Sequence, residues 1–395
     1  MPIGNVPTNF PQGYTNGLVL RGIPLVQAQP GNIYWLDNSV VVPRFSVAGS
    51  NNNRGTYQRP FATLMGALAA TLPGGGDIIL VGPGHAETIS SATSTYLASS
   101  GVAVIGMGAG GLRPTFTLDT AATTTISVAG ANISLQNLLF VGNFLSITSC
   151  FTAVTSSFTG VVNGNVLTAT AVTGSIYPGV TLAGTGVTAG TVVLSQTTGT
   201  AAGAGTYVVS GAATVASASM TSSPTDFAID NCEFRDTSSV LGFLSVFTTA
   251  STANSSDGFQ LTRSIWSSLG TVSPTVAITA GAGHDRWIIA DNMMNSPITA
   301  TTQGPILMAA GAFNFTNFML ARNRCQRPNT SSSIPCGISC SGTAWTGLAY
   351  DNYFGAVPTG TGVWINTGTK LSFINNYSQI TGAADKSALI NPSAV

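Results

Sequence analysis

Charge is what this sequence lacks most. Thirteen basic and thirteen acidic residues cancel and make up only 7% of its 395 positions, against about a quarter in an ordinary soluble domain. With no net charge there is no electrostatic footprint for nucleic acid or an anionic membrane, so neither is expected as a partner. Histidine occurs twice, as His85 and His284. The five cysteines, Cys150, Cys232, Cys325, Cys336 and Cys340, form an odd set with one close pair. That pattern points to reduced thiols in a chain made in a cytoplasm, and it gives zinc no second pair of ligands. No metal and no cofactor is expected. Long apolar runs are missing too: mean hydropathy is +0.33, but the apolar residues alternate with Ser, Thr and Gly and never reach membrane-spanning length. The start, Met1-Pro2-Ile3-Gly4-Asn5, has no basic stretch followed by an apolar one, so no secretory leader is expected.

What is present is a recurring phrase of the form apolar, any, apolar, any, Asn. It reads Leu348-Ala349-Tyr350-Asp351-Asn352, and also Ile133 to Asn137, Phe227 to Asn231, Ile288 to Asn292, Met319 to Asn323 and Leu371 to Asn375, with Arg263 in the Asn place after Phe259. From Asn231 the anchors step by 32, 29, 31, 29 and 23 residues. Alternation inside the phrase is the two-residue period of a strand with one buried face. A unit of about thirty residues with one anchoring strand cannot bury its apolar face alone, so stacking is implied: a solenoid, read here as a parallel β-helix. By parity the Asn should point inward at a corner, tolerating a left-handed backbone and bonding to the Asn of the next coil. Asn137, Asn231, Asn292, Asn323, Asn352 and Asn375 are therefore expected to form one structural ladder.

Four segments follow. Residues 1–53, broken by Pro2, Pro7, Pro11, Pro24, Pro30 and Pro43, read as an extended arm that stays ordered only when docked. Residues 54–155 read as the first part of the solenoid behind a short helix, and 222–395 as the second part. Between them, 156–221 interrupts the repeat with Gly- and Thr-rich strands of its own, such as Val166 to Val172 and Gly205 to Val209, a small inserted β module. The tail from Thr381 is too short for a separate trimerisation domain.

Two resemblances attach to these stretches. Pro60-Phe61-Ala62-Thr63-Leu64, a short helix, Gly76-Asp77-Ile78-Ile79-Leu80-Val81 and Pro83-Gly84-His85-Ala86-Glu87 resemble the opening of pectate-lyase-like right-handed β-helix proteins, in which a short helix caps the solenoid. That implies Val102 to Gly106 as the next coil and Thr115 to Leu118 as part of another. The insert, including Gly184-Thr185-Gly186-Val187-Thr188-Ala189-Gly190-Thr191, resembles a module of tailed-bacteriophage virion proteins. Together they imply a non-enzymatic virion structural protein: a homotrimeric decoration or cement protein of the capsid head, docked on the major capsid protein or other virion proteins through its arm. The alternative is a tailspike or tail fibre that binds, or also cleaves, host surface glycan.

Residues just before each anchor, Asp230, Thr262, Asp291, Arg322 and Asp351, are expected to stack on the outer face. Asp291 and Asp351, two coils or roughly 9–10 Å apart, would suit an inverting glycosidase, but Arg322 between them reads more simply as a charge ladder. The densest acidic cluster is Asp226, Asp230, Glu233 and Asp236, with Arg235 and Arg263 near; lyases of the resembled family use such carboxylates for calcium, yet no lyase motif matches here residue by residue. His85 with Glu87, and His284, read as satisfied turns. Trp266, Trp287, Trp345 and Trp364 read as core or subunit contacts, and Gly108 to Gly111 lacks the Lys of a phosphate loop. No catalytic residue is assigned.

Overall fold

The computed structural model describes residues 18–20, 23–25, 31–39, 47–90, 95–269, 276–295, 307–309, 313–326, 338–339, 345–357 and 370–380. Expectations for the rest of the arm, for Cys336, Cys340 and Trp364, and for the tail from Thr381 lie outside these residues.

The body is a parallel β-helix. Among the described residues a complete coil lays one short strand on each of three sheets, and every neighbour within these sheets is parallel and in the next coil. Sheet 1 has ten strands, from Ile33–Leu36 and Ile78–Val81 through Ser134–Gln136, Ala228–Asp230 and Ile288–Ala290 to Lys370–Ile374. Sheet 2 has nine, among them Thr115–Leu118, Leu139–Gly142, Glu233–Asp236, Ile265–Ser267 and Met293–Asn295. Sheet 3 has seven, among them Thr95–Leu97, Ile126–Val128, Phe151–Ala153, Ser245–Thr248 and Val276–Ala280. Ten rungs at the usual strand spacing make sheet 1 roughly 45 Å long. Thr115–Leu118, expected as part of another coil, is the sheet 2 strand of the coil that Ala103–Gly106 begins. Ile33–Leu36, read from sequence as part of the arm, is the first rung of sheet 1, paired with Ile78–Val81.

Why the strands are so short shows in the backbone. Left-handed residues bracket sheet 1 strands at a spacing of five: Asn132 and Asn137, Asp226 and Asn231, Gly258 and Arg263, Arg286 and Asp291, Asn317 and Arg322. Asn, Asp and Gly accept that conformation at little cost. Arg263, Arg286 and Arg322 do not, and each answers with an ion pair described below.

Inside, like side chains stack coil upon coil. Phe116, Phe140 and Phe234 form a stacked column with centroids 5.7 and 5.4 Å apart, and Trp266 follows in register. Phe259, Trp287, Phe315 and Trp345 fill the later coils. Each aromatic contact adds about 0.5–1.5 kcal/mol beyond its area. Trp266, Trp287 and Trp345 are thus core residues. Cys150, Cys232 and Cys325 are buried, with no disulfide among them, and burial pushes the Cys232 thiol up to about 12.

The helix Leu64–Ala70 closes the first coils. Thr63 caps it by accepting from the Gly66 amide, and Glu87 reaches across to accept from the Leu64 amide at 2.8 Å. The insert departs at Ser156 and returns at Ser223 as an antiparallel sheet of four strands, Ser156–Thr173, Thr181–Gly184, Val193–Gly199 and Gly205–Ser223. It has a core of its own around Phe158, Leu167, Leu182, Tyr207 and Met220.

Candidate functional site

Most paired charges lie along the two corners that flank sheet 1, and these are the places to look for chemistry. At the corner between sheets 1 and 2, register runs Asn231, Arg263, Asp291, Arg322, Asp351, Asn375, one per coil. All six have positive φ. Asp230 and Thr262, expected in the same column, are instead the last residues of their strands.

Three of the four charges in this column are tied up in ion pairs, Arg322 with Asp291 and Arg263 with the neighbouring Asp230. Arg322 donates from Nε and Nη2 to the two carboxylate oxygens of Asp291, both at 2.6 Å, and from Nη1 to the Tyr350 hydroxyl at 2.8 Å. Those hydrogen bonds hold the Asp291 carboxyl below its ordinary range. Asp230 is held the same way by Arg263, Thr262 and Gln136. Burial is the largest single influence on Asp230 and pulls upward, but the three donors together outweigh it. A general acid needs the opposite arrangement, a carboxyl kept protonated near neutral pH. The candidate pair Asp291 and Asp351 therefore has no acid half in Asp291.

The ladder is real but differs in membership. Its column is Ser264, Asn292, Asn323, Asn352 and Asn376. Asn292 donates from its amide to Asn323 Oδ1 at 2.9 Å, Asn323 to Asn352 Oδ1 at 3.0 Å, and Asn352 to Asn376 Oδ1 at 2.8 Å. Each also donates to a strand carbonyl below: Leu261, Ile289 and Leu320. Asn137, Asn231 and Asn375 belong to the left-handed corner column one residue earlier, where Asn231 still donates from Nδ2 to Asn137 Oδ1 of the preceding coil at 3.4 Å. The cause is the corner itself. A left-handed residue breaks the two-residue alternation, so Trp287 and Ile289 point inward, Asp291 points out, and Asn292 points in again. Asn137 is nonetheless buried, donating to the carbonyls of Gly106 and Gly108.

The acidic cluster read from the sequence is dispersed. Asp226 faces Arg286 at the other corner, 3.6 Å away. Glu233 sits between Arg113 and Arg235 on the outside of sheet 2. Asp236 is buried, accepting from the Phe243 and Leu269 amides and from the Ser268 hydroxyl. Among the described residues no group of His, Cys, Asp and Glu is arranged to hold a metal ion.

The corner before sheet 1 holds what the sequence reading missed. Asp257 accepts the Asp285 amide at 2.8 Å. Its carboxyl is pushed up to about 6, first by burial and then by the charges of Asp285 and Asp226. Asp285, one coil on, is held low by donors from Thr316 and Asn317 despite its own desolvation. In the sequence these two carboxyls show only as Asp one residue before the left-handed Gly258 and Arg286, six residues ahead of the corner column.

Both histidines are structural. His85 is buried, and its Nδ1 accepts from the Asn38 amide at 3.1 Å, so Nε2 carries the proton toward Glu87 Oε2 at 3.3 Å. That pair anchors the capping helix. His284 stacks on Trp287 at 5.0 Å, and burial drives its pKa down to about 3.

No family model and no curated protein matches this sequence. Solved structures similar in fold include a GH136 lacto-N-biosidase from Eubacterium ramulus, at 10% identity and TM-score 0.44, covering 88% of this chain and 56% of that one. A rhamnogalacturonan lyase follows at 11% and 0.42, covering 92% and 86%, and the pectate lyase Pel9A at 12% and 0.33, covering 90% and 79%. The chain thus spans little more than half the length of the lacto-N-biosidase. None of its corner residues takes a role from these likenesses.

Proposed function

We propose that this chain is a non-enzymatic structural protein of a tailed-bacteriophage particle: a homotrimeric decoration or cement protein of the head, held to the major capsid protein through its proline-rich N-terminal segment. The observation that carries the non-enzymatic part is the corner column. Its Asp291, and Asp230 at the strand end beside it, are spent on arginines of neighbouring coils, which stiffens a solenoid and keeps these two carboxyls from serving as proton donors. The phage assignment rests on the Gly/Thr-rich insert, which the fold sets apart with its own core. A sparse, internally paired charge set suits binding that salt does not weaken. Purified chain should co-sediment with heads stripped of it at low and high salt alike. Failure to bind heads, or binding that high salt abolishes, would overturn the reading.

One observation favours a second reading, a tailspike that binds and cleaves host glycan. Asp257 and Asp285 are the one described pair of neighbouring carboxyls whose environments push them apart as an acid and a base require. Release of reducing ends from host surface polysaccharide, lost in Asp257→Asn, would support it.

A further inference from the structure

Sheet 3 is set apart by what its strands leave out. None of its seven described strands carries an Asp, Glu, Lys or Arg, whereas sheet 1 carries Asp230 and Lys370 and sheet 2 carries Glu87, Glu233, Arg235, Asp236 and Arg324. One column of it, in register, is Tyr96, exposed, then Ser127, buried, then Thr152, Thr248 and Thr279, each half-buried. A second, independent feature borders it. At the corner between sheets 2 and 3, Leu145, Val240 and Leu269 stand on three successive coils at 57%, 50% and 48% exposure. This ridge is held firmly. The buried Asp236 carboxylate accepts amides from Phe243 and Leu269 beneath it, and Leu145 bridges to Leu241.

We infer that sheet 3 and the Leu145, Val240, Leu269 ridge form the face on which a second copy of this chain docks. The inference rests on the reading of the chain as a self-assembling structural protein. Charge argues for a copy of itself as the occupant. Near the three-fold axis of a trimer a residue comes close to its own images on the other copies, so any charge there meets its like; of the three coil sheets, sheet 3 is the one whose described strands bring none. Hydroxyl groups are self-complementary, since each Ser or Thr Oγ both donates and accepts. Seven rungs give a face roughly 30 Å long, and the three aliphatic side chains along its edge supply apolar area for the contact.

The test is sedimentation equilibrium of the full chain over a wide concentration range. Wild type is expected at a multiple of 40.1 kDa. Thr152→Arg with Thr248→Arg should reduce it to monomer, and the exposed Val240→Ser should raise the dissociation constant at least tenfold. Gln260→Arg, on the outer face of sheet 1, should leave assembly unchanged. Should the double variant fail to fold, Val240→Ser decides. An oligomer that survives both sheet 3 variants, or that is lost equally in Gln260→Arg, overturns this docking face while leaving self-assembly standing. A monomeric wild type overturns both, and with them the trimer.

Discussion

At the scale of the residue, the corner between sheets 1 and 2 shows how one backbone conformation sorts similar side chains into different roles. Asn323 is fully buried and both accepts from Asn292 and donates to Asn352 and Ile289. Asn375 is exposed and left-handed. Replacing Asn323 by Asp removes a donor and sets a carboxylate against carbonyl oxygens, an expected loss of about 1–3 kcal/mol. Asn375→Asp should cost less than about 0.5 kcal/mol. Denaturant titration of both variants checks this, and equal losses would contradict the ladder's membership. The repeated Asn was legible in the sequence; its register was not, because strict alternation was carried through a corner that a left-handed residue interrupts. The signal that would have found it is the spacing of five between left-handed-tolerant residues, as in Asp226 and Asn231.

A pH prediction belongs to this scale as well. His284 has its pKa lowered from 6.5 to about 3 in the fold, so between those values the unfolded chain binds the extra proton and stability rises with pH. Asp257 is raised from 3.8 to about 6. Between those values the folded chain binds the extra proton, and stability falls as pH rises. The two slopes oppose each other from about pH 4 to 6. Asp257→Asn removes the falling one, so the variant's melting temperature should climb more steeply than that of wild type across this window. A parallel pair of curves would contradict the assignment.

At the scale of the element, the insert behaves as a unit separable from the coils. Its first and last strands meet where they leave the body, with Ser156 Oγ and Ser222 Oγ 2.6 Å apart, and its apolar residues pack on one another. Excising 157–221 and joining the ends should leave the solenoid folded, with its melting temperature within a few degrees of wild type by circular dichroism. A collapse of the β signal would show that the insert completes the body's core. The sequence marked this module well, because a run without charge and rich in Gly and Thr breaks a thirty-residue repeat. It marked the arm less well. Ile33–Leu36 follows a proline-rich stretch, but its pairing with Ile78–Val81 is long-range and leaves no local trace. The ion pairs that quiet the corner carboxylates were hidden for the same reason: Asp291 and Arg322 are 31 residues apart and become neighbours only through the coil.

At the scale of the whole molecule, the chain is a stack of coils with its paired charges gathered at the corners of sheet 1 and along sheet 2, an uncharged third sheet, and an antiparallel module projecting between two coils. Those features suit a part that is built into a larger shell. For the proposed virion role the most direct measurement is the number of copies of this chain per purified phage particle, by quantitative mass spectrometry against the major capsid protein. A count in the hundreds, comparable with the capsid protein, is the expected result for a head-decorating cement protein. A few to a few tens would contradict it and place the chain in the tail, and absence from particles would remove the virion reading altogether.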